Sequence, residues 1–201
     1  MFCELTTLSI KAGAVKQALA RLESLVTGPR LLGCWHTVLG NEPRIFILNR
    51  GEPSSDNEGM RQKAVANLGL FELGDLASTI CVDTYATLPC LPDIKTGAFG
   101  AFYEIRTYEL QPAKALELAH KGWADVIDVR LGFAPITTVM HSVDGLIPRL
   151  VHIYPYRDLA QRQQIRDAAI ATGFWPPKGG ADRNQVMRTE IAVPASFSPL
   201  R

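Results

Sequence analysis

The chain has 201 residues, 47% hydrophobic and 20% charged, and its 21 Lys plus Arg against 20 Asp plus Glu leave a formal net charge of +1. Disordered chains combine low hydrophobicity with high net charge, and neither is present, so enough apolar surface is available to offset the entropy lost on folding. The charge balance gives no overall pull toward nucleic acid or anionic lipid, no apolar run approaches the roughly 20 residues that cross a bilayer, and the start Met1-Phe2-Cys3-Glu4-Leu5 carries no basic or continuously apolar leader. A cytoplasmic protein with neither nucleic-acid nor membrane partners is expected. Cys3, Cys34, Cys81 and Cys90 form no Cys-x-x-Cys pair, which suggests buried free thiols rather than a zinc site or a disulfide framework.

In chain order, residues 2–10 alternate and carry Phe, Thr and Ile, which predicts a strand. Val15, Leu19, Leu22 and Val26 then recur at helical spacing. Two short strands follow, Cys34–Leu39 and Arg44–Leu48, joined across Gly40-Asn41-Glu42-Pro43. A second helix is predicted near Asn57–Phe71 and a closing strand at Ser78–Asp83. The whole order then repeats. Phe102-Tyr103-Glu104-Ile105-Arg106-Thr107-Tyr108-Glu109-Leu110 aligns with residues 2–10, sharing Phe, Glu and Thr. Leu116, His120, Trp123 and Ile127 mark a helix, Thr137–Val143 and Arg149–Tyr154 a hairpin across Asp144-Gly145, Leu159–Thr172 a second helix and Val186–Val193 the last strand. His36 matches His141, Gly40 matches Gly145, Pro43-Arg44 matches Pro148-Arg149 and Arg61 matches Arg166 once an insertion between Ala124 and Thr137 is allowed in the second copy.

A βαββαβ unit of this length folds as a ferredoxin-like antiparallel sheet with both helices on one face. The other face would be a bare apolar surface, so two copies are expected to bring their sheets together as a sandwich or a closed barrel. The fold class is therefore α+β, two tandem ferredoxin-like repeats forming an α/β-barrel. Residues 1–84 would be the first repeat, 85–100 a linker rich in Pro and Gly, and 101–201 the second repeat. Further pairing as a homodimer is left open.

The second repeat also resembles a known family. Glu104-x-Arg106-x-Tyr108-x-Leu110-x-Pro112, then Val151-His152-Ile153-Tyr154-Pro155-Tyr156-Arg157-Asp158-Leu159, then Arg162 and Arg166-Asp167-Ala168-Ala169, and finally Ser196-Phe197-Ser198-Pro199-Leu200 are similar to the NIPSNAP family in four spaced motifs. The first repeat is a more diverged relative that keeps Glu4, Gly40 and Arg61. The resemblance implies a dimeric α/β-barrel fold of the ferredoxin-like type and no established shared reaction. It also implies, for animal members, a mitochondrial location with links to vesicle transport and mitochondrial quality control. The absence of an Arg- and Ser-rich leader here keeps the expectation cytoplasmic.

Two-residue periodicity puts Glu104, Arg106 and Tyr108 on one face of their strand and Tyr103, Ile105 and Thr107 on the other. If the helices cover the more apolar face, the polar row points into the barrel, where Glu104 and Arg106 form an ion pair or orient an anionic ligand. Thr6 replaces Arg106 in the first copy, so a pocket should favour the second half. His152 and Tyr154 share a face of the hairpin's second strand and are the candidate catalytic pair, His152 as general acid or base with Tyr154 or Tyr108 as proton donor. His141 joins Glu104, Arg106 and Tyr108 as a candidate ligand-binding residue, although its match to His36 also suits a role in the turn. No helix carries His pairs at ligand spacing, so no metal site is expected. Fold analogy brings up haem on His152 or His141, but the reading adopted has no cofactor. Pro176-Pro177-Lys178-Gly179-Gly180 reads as an exposed loop, the charges from Arg157 to Asp167 as a solvated helix face, and Trp35, Trp123 and Trp175 as core or interface aromatics.

The leading expectation is a protein of unassigned biochemical activity that binds a small molecule in the barrel. The alternatives are a cofactor-independent oxygenase or isomerase and a non-enzymatic interaction protein with a filled barrel.

Overall fold

β-Branched and aromatic alternation produces eight strands in the computed structural model, which describes residues 1–51, 73–112 and 114–201. The strands are β1 Phe2–Ile10, β2 Leu31–Leu39, β3 Arg44–Arg50, β4 Ala77–Thr87, β5 Phe102–Leu110, β6 Thr138–Ser142, β7 Arg149–Tyr156 and β8 Asn184–Pro194. Helices α1 Val15–Leu25, α2 Ala115–Ala124, α3 Ile127–Leu131, α4 Leu159–Ala171 and the single turn α5 Gly180–Arg183 lie between them. The helix expected near Asn57–Phe71, with Arg61, falls outside the described residues.

The strands close into an antiparallel barrel in the order β1-β3-β2-β8-β5-β7-β6-β4. Within it, β4-β1-β3-β2 and β8-β5-β7-β6 have the same ferredoxin-like order, and the seams are β2 with β8 and β4 with β6. The insertion between Ala124 and Thr137 contains α3, which has no counterpart in the first half. β4 runs beyond Asp83, where the closing strand was expected to end, into the stretch read as a linker. Tyr85 to Thr87 still belong to β4 and pair with β6, because Tyr85 is an aromatic core residue in register with Cys3 and Ser142.

Pleating divides the buried residues into an inner and an outer set. Cys3, Leu5, Trp35, Phe46, Tyr103, Ile105, Val151 and Ile153 belong to the cluster that fills the lumen, and the Trp35 and Tyr103 ring centroids lie 5.1 Å apart. Leu200, Ile94 and Met1 pack into the same cluster. The C-terminal motif explains how they are held. Leu200 forms a parallel bridge with Gly97, and Ser198 Oγ accepts from the Cys34 amide at 2.9 Å while donating to the Leu200 carbonyl at 2.7 Å. Toward the other end, charged side chains pair instead: Arg44 with Glu190 at 3.3 Å, and Arg149 with Asp83.

The outer set meets the helices. Ala18 and Leu22 of α1 pack over Leu8, Ile10, Cys34, Ile45 and Ile47. Ala115, Ala119 and Trp123 of α2 pack over Val139, Leu150 and Tyr154. Cys3 and Cys34 are buried, as expected, and burial pushes both thiols up to about 12. Cys81 is exposed on β4 instead, and Cys90 is half-buried. No helix among the described residues is long and apolar enough to cross a membrane.

Candidate functional site, an arginine-rich aromatic cleft

The register of β5 and β7 sets Glu104 opposite Tyr154, Arg106 opposite His152 and Tyr108 opposite Leu150. The predicted polar row and the predicted His152–Tyr154 pair therefore share one surface. That surface is the outer one, under the helices, and not the lumen. Neighbouring positions Tyr103 and Ile105 point into the barrel, whose interior is filled by side chains. The expectation that this polar row points into the barrel is thus corrected. A closed barrel makes its lumen the driest place in the molecule, so the more apolar face of β5 turns inward and the polar face meets α2 and α4.

There the side chains border a cleft of about 640 Å³. Its floor is Arg106, Tyr108, Leu150, His152, Thr189 and Met187, one wall is Trp123 of α2, and the other is Arg162, Arg166 and Ile170 of α4. Trp175, Pro176, Pro177, Gly180 and Arg183 form the rim. The segment read as an exposed loop is therefore part of the site. Trp175 packs edge-on to Trp123 at 5.2 Å between centroids. His141 is not among these residues; its ring sits 5.0 Å from that of His120 and its Nδ1 lies 3.3 Å from the Ser142 carbonyl. Thr6, at the position equivalent to Arg106, is buried in the first half.

Glu104 lies behind the floor with 0% exposure. Its Oε1 accepts from Arg106 Nη2 at 2.9 Å, from Arg162 Nε at 2.9 Å and from Arg162 Nη2. Burial alone would raise the carboxyl's pKa, but the hydrogen bond from Arg162 and the charge and hydrogen bond of Arg106 prevail and hold it below the ordinary value. Arg106 in turn donates to the Tyr108 hydroxyl at 3.0 Å. The chain Arg162–Glu104–Arg106–Tyr108 thus fixes two guanidinium planes and one phenol with a single carboxylate.

His152 sits among aromatic rings: Tyr108 at 4.7 Å, Trp123 at 5.3 Å and Tyr154 at 5.9 Å, all edge-on. Burial, with the Arg106 charge, lowers its pKa to about 3, so the imidazole is neutral at physiological pH. Tyr154 Oη lies 3.4 Å from its Nδ1, and its Nε2 is buried without a partner among the described residues. Burial raises the Tyr154 pKa, so that phenol keeps its proton. The Arg130 guanidinium, from the inserted α3, lies 5.2 Å over the Tyr154 ring.

Arg162, Arg166, Arg183, Trp123 and Trp175 are site residues that the sequence reading did not select. A signal for two of them was present. Arg162 and Arg166 fall on the same face of α4 as Ile165 and Ala169, which pack inward, so this is not the solvated face expected. No cluster of His, Cys, Asp and Glu able to hold a metal ion occurs among the described residues.

An antiparallel barrel built from two ferredoxin-like sheets defines a recognised class of α/β proteins. A candidate monooxygenase from Lactobacillus acidophilus has this fold over 97% of the present chain and 94% of its own, with a TM-score of 0.61 and 12% identity. The NIPSNAP family model matches residues 103–199, the half that carries the cleft. A NIPSNAP family protein of unknown function from Agrobacterium tumefaciens is 30% identical over 96% of its own length and 51% of this chain, with a TM-score of 0.47. A NipSnap homolog of Dictyostelium discoideum is 25% identical over 74% of this chain. On the family model and these sequence identities, the chain belongs to the NIPSNAP family. It spans between 35% and 66% of the length of the curated NipSnap relatives it matches.

Proposed function

We propose that this NIPSNAP protein binds a small molecule in the cleft between the outer face of β5 and β7 and the helices above it. The observation that carries the reading is the convergence, on one cavity of about 640 Å³, of apolar and aromatic walls with a few fixed polar groups. Glu104 orients Arg106 and Arg162, Tyr108 is held by Arg106, and His152 and Tyr154 complete the floor. The proposed duplication behind the two halves explains the asymmetry. With Thr6 in place of Arg106, the first half cannot assemble the same chain of charges.

The test is a fragment screen by ligand-observed NMR on the full chain, repeated with Met187→Trp at an exposed position of the floor. An indole at the cleft floor should abolish binding of the hits while the circular dichroism spectrum and melting curve stay native. Hits that bind the variant unchanged would place them elsewhere and overturn the reading.

One observation favours a second reading, a cofactor-independent oxygenase or isomerase. A neutral His152 with a spare ring nitrogen among the described residues, beside two phenols that keep their protons, can accept a hydrogen bond from a substrate hydroxyl and hold it for proton transfer. Turnover of such a substrate should then vanish in His152→Gln with binding retained.

A further inference from the structure

The cleft has an unusual charge inventory. Among the described residues four arginines line it, Arg106, Arg162, Arg166 and Arg183, and no acidic side chain does. Glu104, behind the floor, serves Arg106 and Arg162 together through one oxygen. Arg166 forms no ion pair among the described residues. Among the described residues Arg183 donates to the Leu118 and Lys178 carbonyls, each at 3.1 Å, which orient it, and the charge of the adjacent Asp182, outside the cleft lining, is outweighed by burial. Cations gathered in a partly dehydrated cavity repel one another and lose hydration, and a single shared carboxylate compensates only part of this. The strain is visible at Arg166, whose proton affinity is lowered by burial and then by Arg106, and at Arg183, where burial does the same.

The rest of the cavity says what kind of counter-charge fits. Trp123, Trp175, Leu150, Ile170 and Met187 give it large apolar walls, and its volume is far beyond that of an inorganic anion. Guanidinium groups match planar oxyanions through paired N–H donors. Building on the reading above, we infer that the cleft's ligand is an organic oxyanion: a carboxylate on an aromatic or aliphatic body, its charge met by Arg166 and Arg183 and its body lying against Trp123 and Trp175. Glu104 then has a positioning role. It keeps Arg106 and Arg162 against the floor and leaves Arg166 and Arg183 to the ligand.

The experiment compares two probes of the same shape, 2-naphthoate and the neutral 2-naphthamide, titrated into the full chain by calorimetry at neutral pH. The carboxylate should bind at least tenfold more tightly, and that margin should shrink as salt is raised. Arg166→Gln should remove most of the margin between the two probes, and Arg166→Lys should restore part of it. If the variants fail to fold, the comparison of the two probes on the unaltered chain still decides. Equal or tighter binding of the amide overturns the oxyanion assignment and leaves the cleft reading standing. Binding of neither probe also overturns it, and the Met187→Trp screen then decides separately whether the cleft holds any other class of molecule.

Discussion

At Glu104 the energetic stakes are those of a buried charge with two partners. Removing one member of such a group leaves uncompensated charge in a low-dielectric site, at a cost of about 3–5 kcal/mol. Glu104→Gln should therefore lower the melting temperature by roughly 10 °C in a thermal scan. Because its folded pKa is depressed, the carboxylate's contribution is complete above the unfolded value of about 4.3 and is lost as pH falls through the lower folded value. His152 acts in the same direction by a different route. Below about 6.5 the unfolded chain takes up a proton on this imidazole, whereas the folded chain does not until about 3. Stability should fall with pH across that window by up to about 1.4 kcal/mol per unit from this group. Urea midpoints between pH 4 and 7 should accordingly show a flatter slope for His152→Gln than for the unaltered chain; an unchanged slope would mean that the imidazole is not sequestered. The pairing of Glu104, Arg106, Tyr108, His152 and Tyr154 on one surface was legible in the two-residue period. The side that surface faces was not, because both faces of β5 are buried, and neighbouring residues such as Ile105 and Arg106 do not reveal which set lies in the lumen.

Among the elements, α4 does most to turn this surface into a cleft. Asp158 caps it, accepting from the Gln161 amide at 2.7 Å, and its inward face carries Arg162 and Arg166 beside Ile165 and Ala169. Replacing Asp158 with Ala should cost about 1 kcal/mol, seen as a melting temperature lower by roughly 2–4 °C. The eight strands and helices α1, α2 and α4 were readable from periodicity, and the hairpin turns from Gly40-Asn41 and Asp144-Gly145, whereas α3 and α5 were not. The direction of α4 was harder, since Leu159 and Ile170 are exposed while two arginines turn inward, Arg162 of them onto the Glu104 carboxylate beneath it. In a similar way the break between α2 and α3 lay within a recognised insertion, but its use, bringing Arg130 over Tyr154, depends on a tertiary contact that no local pattern encodes.

Across the whole molecule, the two halves are joined by more than the β2–β8 and β4–β6 seams. Ser198, from the last turn of chain, satisfies the Cys34 amide in the first half and is itself 1% exposed. Ser198→Ala would leave that buried amide without its acceptor, a loss of about 1–3 kcal/mol. The urea midpoint should drop with the m value unchanged, in one transition, because neither sheet can retain its inner face once the other has left. Two separate transitions would show that the halves unfold independently. The closed ring has a consequence for encounters with other chains. Every described strand has a neighbour on each side, so the barrel offers no row of free backbone N–H and C=O groups to a passing peptide or to a second copy. Recruitment by strand addition is thereby closed to it, and association must proceed through side chains on helices and loops, where single substitutions can tune or abolish it.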